Sequence, residues 1–151
     1  RWPDYKEAVW LDILENAKKQ VRPSPVPILG SDKDFKAVRL TEQNAVAAGL
    51  EGVIEVQRKK FEKLTPTVEG GLILTNPPYD ERLSEADIGA FYEMIGDQLK
   101  QNFTGFDAWI ISSNREGFKR VGLKSAQKIP LFNGALECRF VKYELYAGTR
   151  N

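Results

Sequence analysis

The chain has 151 residues, 42% of them hydrophobic, which suits a globular domain with a real core. Its 22 Lys and Arg nearly cancel its 21 Asp and Glu, leaving a net charge of +1 and no global electrostatic pull toward nucleic acid. A single cysteine, Cys138, rules out an intrachain disulfide, and the lack of any histidine rules out Ser–His–Asp catalysis and histidine-held zinc.

No apolar run approaches the ~20 residues that cross a bilayer, so no membrane partner is expected. The opening Arg1-Trp2-Pro3-Asp4-Tyr5 resembles no signal or transit peptide. Cys138 reads as a small buried hydrophobe and fits a reducing cytoplasm, the expected location. Any chemistry must use carboxylates, amides, Lys, Tyr or the backbone.

In chain order, Asp4 is expected to cap a helix over residues 5–20, with Ala8, Val9, Leu11, Ile13, Leu14 and Ala17 partly buried. Pro23-Ser24-Pro25 ends it. A short buried strand follows over 26–32, closing on Asp32, and then a helix over 35–48 with Gly49 as C-cap. Residues 53–57 read as a strand. Leu72-Ile73-Leu74-Thr75 is a continuous apolar run of the kind covered on both faces, and it ends at Asn76-Pro77-Pro78-Tyr79. Ser84 or Asp87 opens a helix to about residue 103, with Ile88, Phe91, Tyr92, Ile95 and Leu99 inward. Residues 108–113 form the next buried strand and 115–121 a short helix. The tail reads as two strands, 126–132 and 136–146, joined at Asn133-Gly134, a hairpin signal.

This alternation predicts an α/β fold, a mostly parallel sheet closed by an antiparallel hairpin. Ligands of such sheets sit beyond the carboxyl ends of the strands, where Asp32, Asn76 and Ser112-Ser113-Asn114 all fall.

Asn76-Pro77-Pro78-Tyr79 carries the chemistry. Each proline fixes φ and removes an amide donor, and a residue before proline is held extended. The Asn76 side chain and the Pro77 carbonyl are thus two adjacent acceptors, suited to an amino group with two N–H donors. Tyr79 offers a ring for stacking a planar base. Asn-Pro-Pro also occurs as a plain turn, but its place at the end of a buried strand favours a site.

The tetrapeptide resembles the motif of amino-directed methyltransferases. That resemblance implies S-adenosylmethionine (AdoMet) as methyl donor, with Asn76 and Pro77 holding the target amine and Tyr79 stacking a flipped-out base. Direct transfer to nitrogen needs no histidine. Gly30-Ser31-Asp32-Lys33-Asp34 resembles the acidic strand end that binds the cofactor ribose, with Asp32 as the binding residue and Asp34 as a helix cap. Phe61 sits where the third motif of such enzymes approaches the adenine, although a core role fits it equally.

Together with Trp2-Pro3-Asp4, Asn44-Ala45, Ala48-Gly49 and Glu81-Arg82-Leu83, these motifs make the chain similar to the RlmL-type 23S ribosomal RNA guanine-N2 methyltransferases along essentially its whole length. The resemblance implies a Rossmann-like class I methyltransferase fold, a ribosomal RNA substrate and a preceding THUMP RNA-binding domain. Two departures stand out. Asp80 occupies a position that is usually Gly, and the family's glycine-rich AdoMet loop and first strand are not found in residues 1–151. Residues 1–151 are therefore read as one partial catalytic domain, expected to be inactive alone, with a gap, a substitute strand from a neighbouring chain or a rearranged sheet where the first strand would sit.

Two rival readings use the same residues: a DNA adenine amino-methyltransferase, and a non-catalytic RNA-binding piece of a methyltransferase. Two basic groups, Arg58-Lys59-Lys60 with Lys63 and Arg115-Lys119-Arg120-Lys124, read first as solvated surface and second as phosphate contacts.

Overall fold

The computed structural model describes residues 2–78 and 85–148, apart from the side chains of residues 85 and 86. Its chain contacts fall into two compact units: Arg1–Gly30 with Phe35–Gln57, and Ser31–Asp34 with Arg58–Asn151.

The first unit holds helix α1 (Glu7–Lys19), helix α2 (Phe35–Ala47) and most of strands β1 (Ile28–Asp32) and β2 (Ile54–Arg58), which pair as a two-stranded sheet. Asp4 does not cap α1. It lies inside a turn closed by the Tyr5 N–H on the Trp2 carbonyl at 3.1 Å, and the N-cap position falls to Lys6, whose side chain makes no cap bond. The apolar stripe of α1 is not buried either: Val9, Trp10, Leu11 and Ile13 are all exposed. Helix α2 ends as the sequence predicts. Gly49 takes φ +71°, the Leu50 N–H reaches the Ala45 carbonyl at 2.8 Å, and the Gly49 N–H reaches Val46 at 2.9 Å. These two bonds make a Schellman motif, which satisfies the last carbonyls of the helix.

The second unit is built on a four-stranded sheet of order β3-β4-β6-β5, from β3 (Gly71–Thr75), β4 (Phe106–Ser112), β5 (Gln127–Asn133) and β6 (Leu136–Glu144). Strands β3 and β4 run parallel, with Gly71 opposite Phe106 and Thr75 opposite Ile110. Strand β6 then pairs antiparallel with both β4 and β5. The expected parallel pair and closing hairpin are both present. The turn is shifted by one residue from the expected Asn133-Gly134. Asn133 pairs with Leu136, so Gly134 and Ala135 form the loop, with positive φ (+62°) at Gly134 alone. Gly in the first central position is the type II′ pattern, whereas an Asn-Gly centre would need positive φ at both. Pro130 lies in β5, an edge strand, where its missing N–H is tolerated.

The core lies where helix α3 (Glu85–Asn102) covers this sheet. Tyr92, Ile95 and Leu99, spaced three and four apart, turn inward against Phe106, Ala108 and Ile110 of β4 and Val141 and Tyr143 of β6. Full burial of each large apolar side chain is worth about 1.5–3 kcal/mol, so this interface dominates the stability of the unit. Two glycines permit its closeness. A Cβ on Gly96 would lie 1.8 Å from the Val121 carbonyl oxygen, and one on Gly117, in helix α4 (Arg115–Arg120), would lie 2.7 Å from the Tyr92 ring. On the other sheet face Trp109 stacks on Phe140 with centroids 4.4 Å apart, leaving Trp109 half-buried.

Strand β3 departs from its expected double coverage. It is an edge strand, and Leu72 and Leu74 on one face remain 60% and 65% exposed. Strands β1 and β3 belong to separate hydrogen-bonded sheets. Among the described residues no helix is long and apolar enough to cross a membrane.

Candidate active site

Thr75 is the last residue of β3 to pair with β4, and Asn76 is the first residue beyond the carboxyl end of the strand. The prolines explain why pairing stops there: neither has an N–H to extend the ladder. Asn76 is exposed, Pro77 buried and Pro78 exposed. The Asn76 amide has no hydrogen-bond partner among the described residues. The corner is thus anchored by a buried ring, with an exposed amide beside it. Tyr79, the fourth residue of the motif, and Asp80 lie outside the described residues, as do Glu81-Arg82-Leu83 and Ser84.

Asp32 ends β1 and is exposed. Its Oδ1 accepts the Asp34 N–H at 2.7 Å, and its backbone carbonyl accepts the Lys59 N–H at 2.9 Å. A carboxylate accepts several hydrogen bonds, so capacity remains for ribose hydroxyls. Asp34 directly precedes α2, at the N-cap position. Lys33 presents its carbonyl to the Arg58 Nε at 3.2 Å, which fixes the loop against the end of β2.

Phe61 occupies a single 3₁₀ turn (Phe61–Lys63) and is half-buried. One ring face stacks on Phe103 at 6.4 Å with planes 10° apart, against the hydrophobic core. The turn is tied to α3 by the buried Gln98 side chain, which donates to the Leu64 carbonyl.

The third strand end behaves differently. Ser112 is buried, bonds the Tyr92 hydroxyl and accepts the Asn114 N–H at 3.0 Å. The Asn114 Oδ1 accepts the Gly117 N–H at 2.7 Å and caps α4. Both polar side chains are therefore taken up by internal bonds. Burial pushes the Tyr92 phenol up, with the Ser112 bond opposing in part.

The chain has counterparts among known proteins. Residues 2–142 match the RMKL-like methyltransferase domain. The chain belongs to this family. It is similar to a Synechocystis protein named as a candidate RNA methyltransferase, 37% identical over 97% of the chain and 38% of the relative. It is also similar to the ribosomal RNA large subunit methyltransferase K/L of Syntrophotalea carbinolica, 34% identical over 95% of the chain and 21% of the relative. The chain thus spans about a third of the first relative's length and a fifth of the second's. A candidate methyltransferase crystallised with SAH superposes with TM-score 0.83 at 23% identity, over 98% of this chain and 40% of that one. A protein of Listeria monocytogenes named as a predicted N6-adenine-specific DNA methylase gives 0.78 at 25%, over 95% and 37%. The fold of this RMKL-like domain is that of the class I methyltransferases.

Proposed function

We propose that this RMKL-like chain presents the target amine in an AdoMet-dependent RNA methyltransferase acting on the exocyclic N2 of a guanine in 23S ribosomal RNA. The observation that carries the reading is the exposed Asn76 side chain beside the buried Pro77 ring, directly beyond the end of β3. Membership of the family and the names of the K/L relatives support it.

The Asn76 Oδ1 and the Pro77 carbonyl each accept one N–H of the amine, which turns the nitrogen lone pair away from both. AdoMet, when bound, supplies an electrophilic methyl group on sulfur. Held by these two acceptors, the amine would present its lone pair to that methyl group. Asp32 holds the ribose hydroxyls of the donor, and Phe61 supplies an apolar contact for its adenine. Tyr79 stacks the base. No covalent enzyme intermediate is needed, so positioning and desolvation supply the rate. An upstream THUMP domain is expected to contribute RNA affinity that a net charge of +1 does not.

A DNA adenine reading has one observation in its favour, the name of the Listeria neighbour. An adenine N6 amine would fit the same two acceptors. The experiment is a methyl-transfer assay with the intact protein on ribosomal RNA and on duplex DNA in parallel. Transfer to RNA alone is expected. Transfer to DNA alone would replace the substrate, and transfer to neither would remove the reading.

A further inference from the structure

A concave region of the second unit lies away from the Asn76 corner. It is a cavity of about 400 Å³ between α4 and the α3-covered face of β5 and β6. Its wall carries four cations, Arg115, Lys119, Lys128 and Arg139, and one carboxylate, Glu116. In a chain whose net charge is only +1, this is a local concentration and not a general excess.

The strand register explains how it forms. Arg139, Val141 and Tyr143 alternate along β6 onto one face, and Lys128 stands opposite Val141 on β5. Val141 and Tyr143 are buried and give the cavity an apolar floor, while Lys128 and Arg139 rise at its rim. Two of the four cations are already matched: Arg115 to Glu137 at 2.8 Å and Lys119 to Glu116 at 2.7 Å. Both are exposed, solvent-screened pairs, open to exchange for a stronger anion. Among the described residues, Lys128 and Arg139 have no carboxylate within ion-pair distance.

The position is also informative. Arg139 stands opposite Ser112, the last residue of β4, while Thr75, just before Asn76, stands opposite Ile110. Arg139 is therefore at the same carboxyl end of the sheet as Asn76. Strand β6 lies two places from β3, roughly 10 Å at the usual interstrand spacing. A polynucleotide whose base sits at Asn76 reaches that rim within a few nucleotides.

We propose that this basic cavity binds the sugar–phosphate backbone of single-stranded RNA flanking the target base, with Lys128 and Arg139 each holding a phosphate. The inference rests on the RNA methyltransferase reading for the identity of the polymer. Its chemistry is separate: point cations over an apolar floor select a backbone anion without reading sequence.

The test is the salt dependence of RNA binding by the intact protein, read by anisotropy of a labelled single-stranded RNA without methyl donor. Each phosphate neutralised on a single strand adds about 0.7 to the slope of log K against log salt. The Lys128→Ala/Arg139→Ala double variant should bind more weakly, with a slope shallower by about 1.4. The charge-conserving Lys128→Arg/Arg139→Lys variant should restore the parent slope, which a purely structural role would not predict. A double variant with the parent's affinity and slope overturns the proposal, and so does an affinity loss at unchanged slope. Turnover does not enter this readout. A protein that shows the slope change yet methylates no RNA would remove the functional reading and leave the cavity assignment standing. A protein that methylates RNA with an unchanged slope would do the reverse.

Discussion

The roles proposed for Asn76 and its neighbours rest on single side chains, and so do the substitutions that test them. Tyr79 is assigned a stacking role, and stacking on a base is worth ~1–3 kcal/mol. Tyr79→Phe keeps the ring and should leave RNA turnover nearly intact. Tyr79→Ala should lose about tenfold to a hundredfold in kcat/KM, matching that energy range. Equal damage from both variants would move the role to the hydroxyl. The strand end before Asn76 was legible in the sequence because the apolar run marks a strand and the two prolines that follow cannot extend its pairing. Ser112 and Asn114 were not legible in the same way. A strand-end serine does not reveal that a tyrosine hydroxyl twenty residues earlier will take it up, nor that Asn114 will cap α4. Lys128 and Arg139 were not read together in the sequence because only strand register brings them to one face of the sheet. The signal was present in the period-two alternation of Arg139, Val141 and Tyr143 on a strand opposite a lysine.

Helix α3 shows how contact overrides local propensity. Its two interior glycines, Gly89 and Gly96, should both favour Ala by about 1 kcal/mol on helix propensity alone. A Cβ on Gly89 meets only the flexible Arg120 side chain, at 3.7 Å. A Cβ on Gly96 meets the Val121 backbone carbonyl at 1.8 Å, which cannot rotate away. Gly89→Ala should therefore be neutral or raise Tm. Gly96→Ala should lower it by several degrees, because overpacking costs about 1–3 kcal/mol and more where backbone must move. Thermal melts of the two variants check this, and a stabilising Gly96→Ala would contradict the close α3 packing. Elements with internal periodicity were legible throughout: α3, β4, the hairpin and the Gly49 terminus of α2 all lie close to their expected bounds. What failed was coverage. The apolar faces of α1 and of β3 promised burial, yet Leu72, Leu74 and the α1 stripe are exposed among the described residues. Periodicity identifies a face that seeks a partner and says nothing about where that partner comes from.

At the scale of the molecule, stability and function make separate demands. Tyr143 is 2% exposed, and burial, reinforced by neighbouring Tyr92, pushes its phenol up to about 12. The folded state thus binds the phenolic proton more tightly than the unfolded chain. Stability should be full below pH 10 and decline as pH rises from 10 through about 12, where the unfolded phenol ionises first. A rise of that size corresponds to about 2–3 kcal/mol. Denaturant melts between neutral and strongly alkaline pH should show this loss, and Tyr143→Phe should reduce it. An identical alkaline loss in that variant would place its origin elsewhere. The α/β sheet was readable from the alternation of elements, and the class I methyltransferase fold and the family from the resemblance carried by motifs spread over the whole chain. The substrate rests on fewer atoms. The most direct measurement is nucleoside mass spectrometry of 23S ribosomal RNA after incubation with AdoMet and the intact protein, native or Asn76→Ala. N2-methylguanosine is expected with the native protein, and a rate lower by orders of magnitude at nearly unchanged AdoMet affinity for Asn76→Ala. Undiminished methylation by that variant, or methyl transfer to a position other than an exocyclic amine, would contradict the role given to the Asn-Pro-Pro corner.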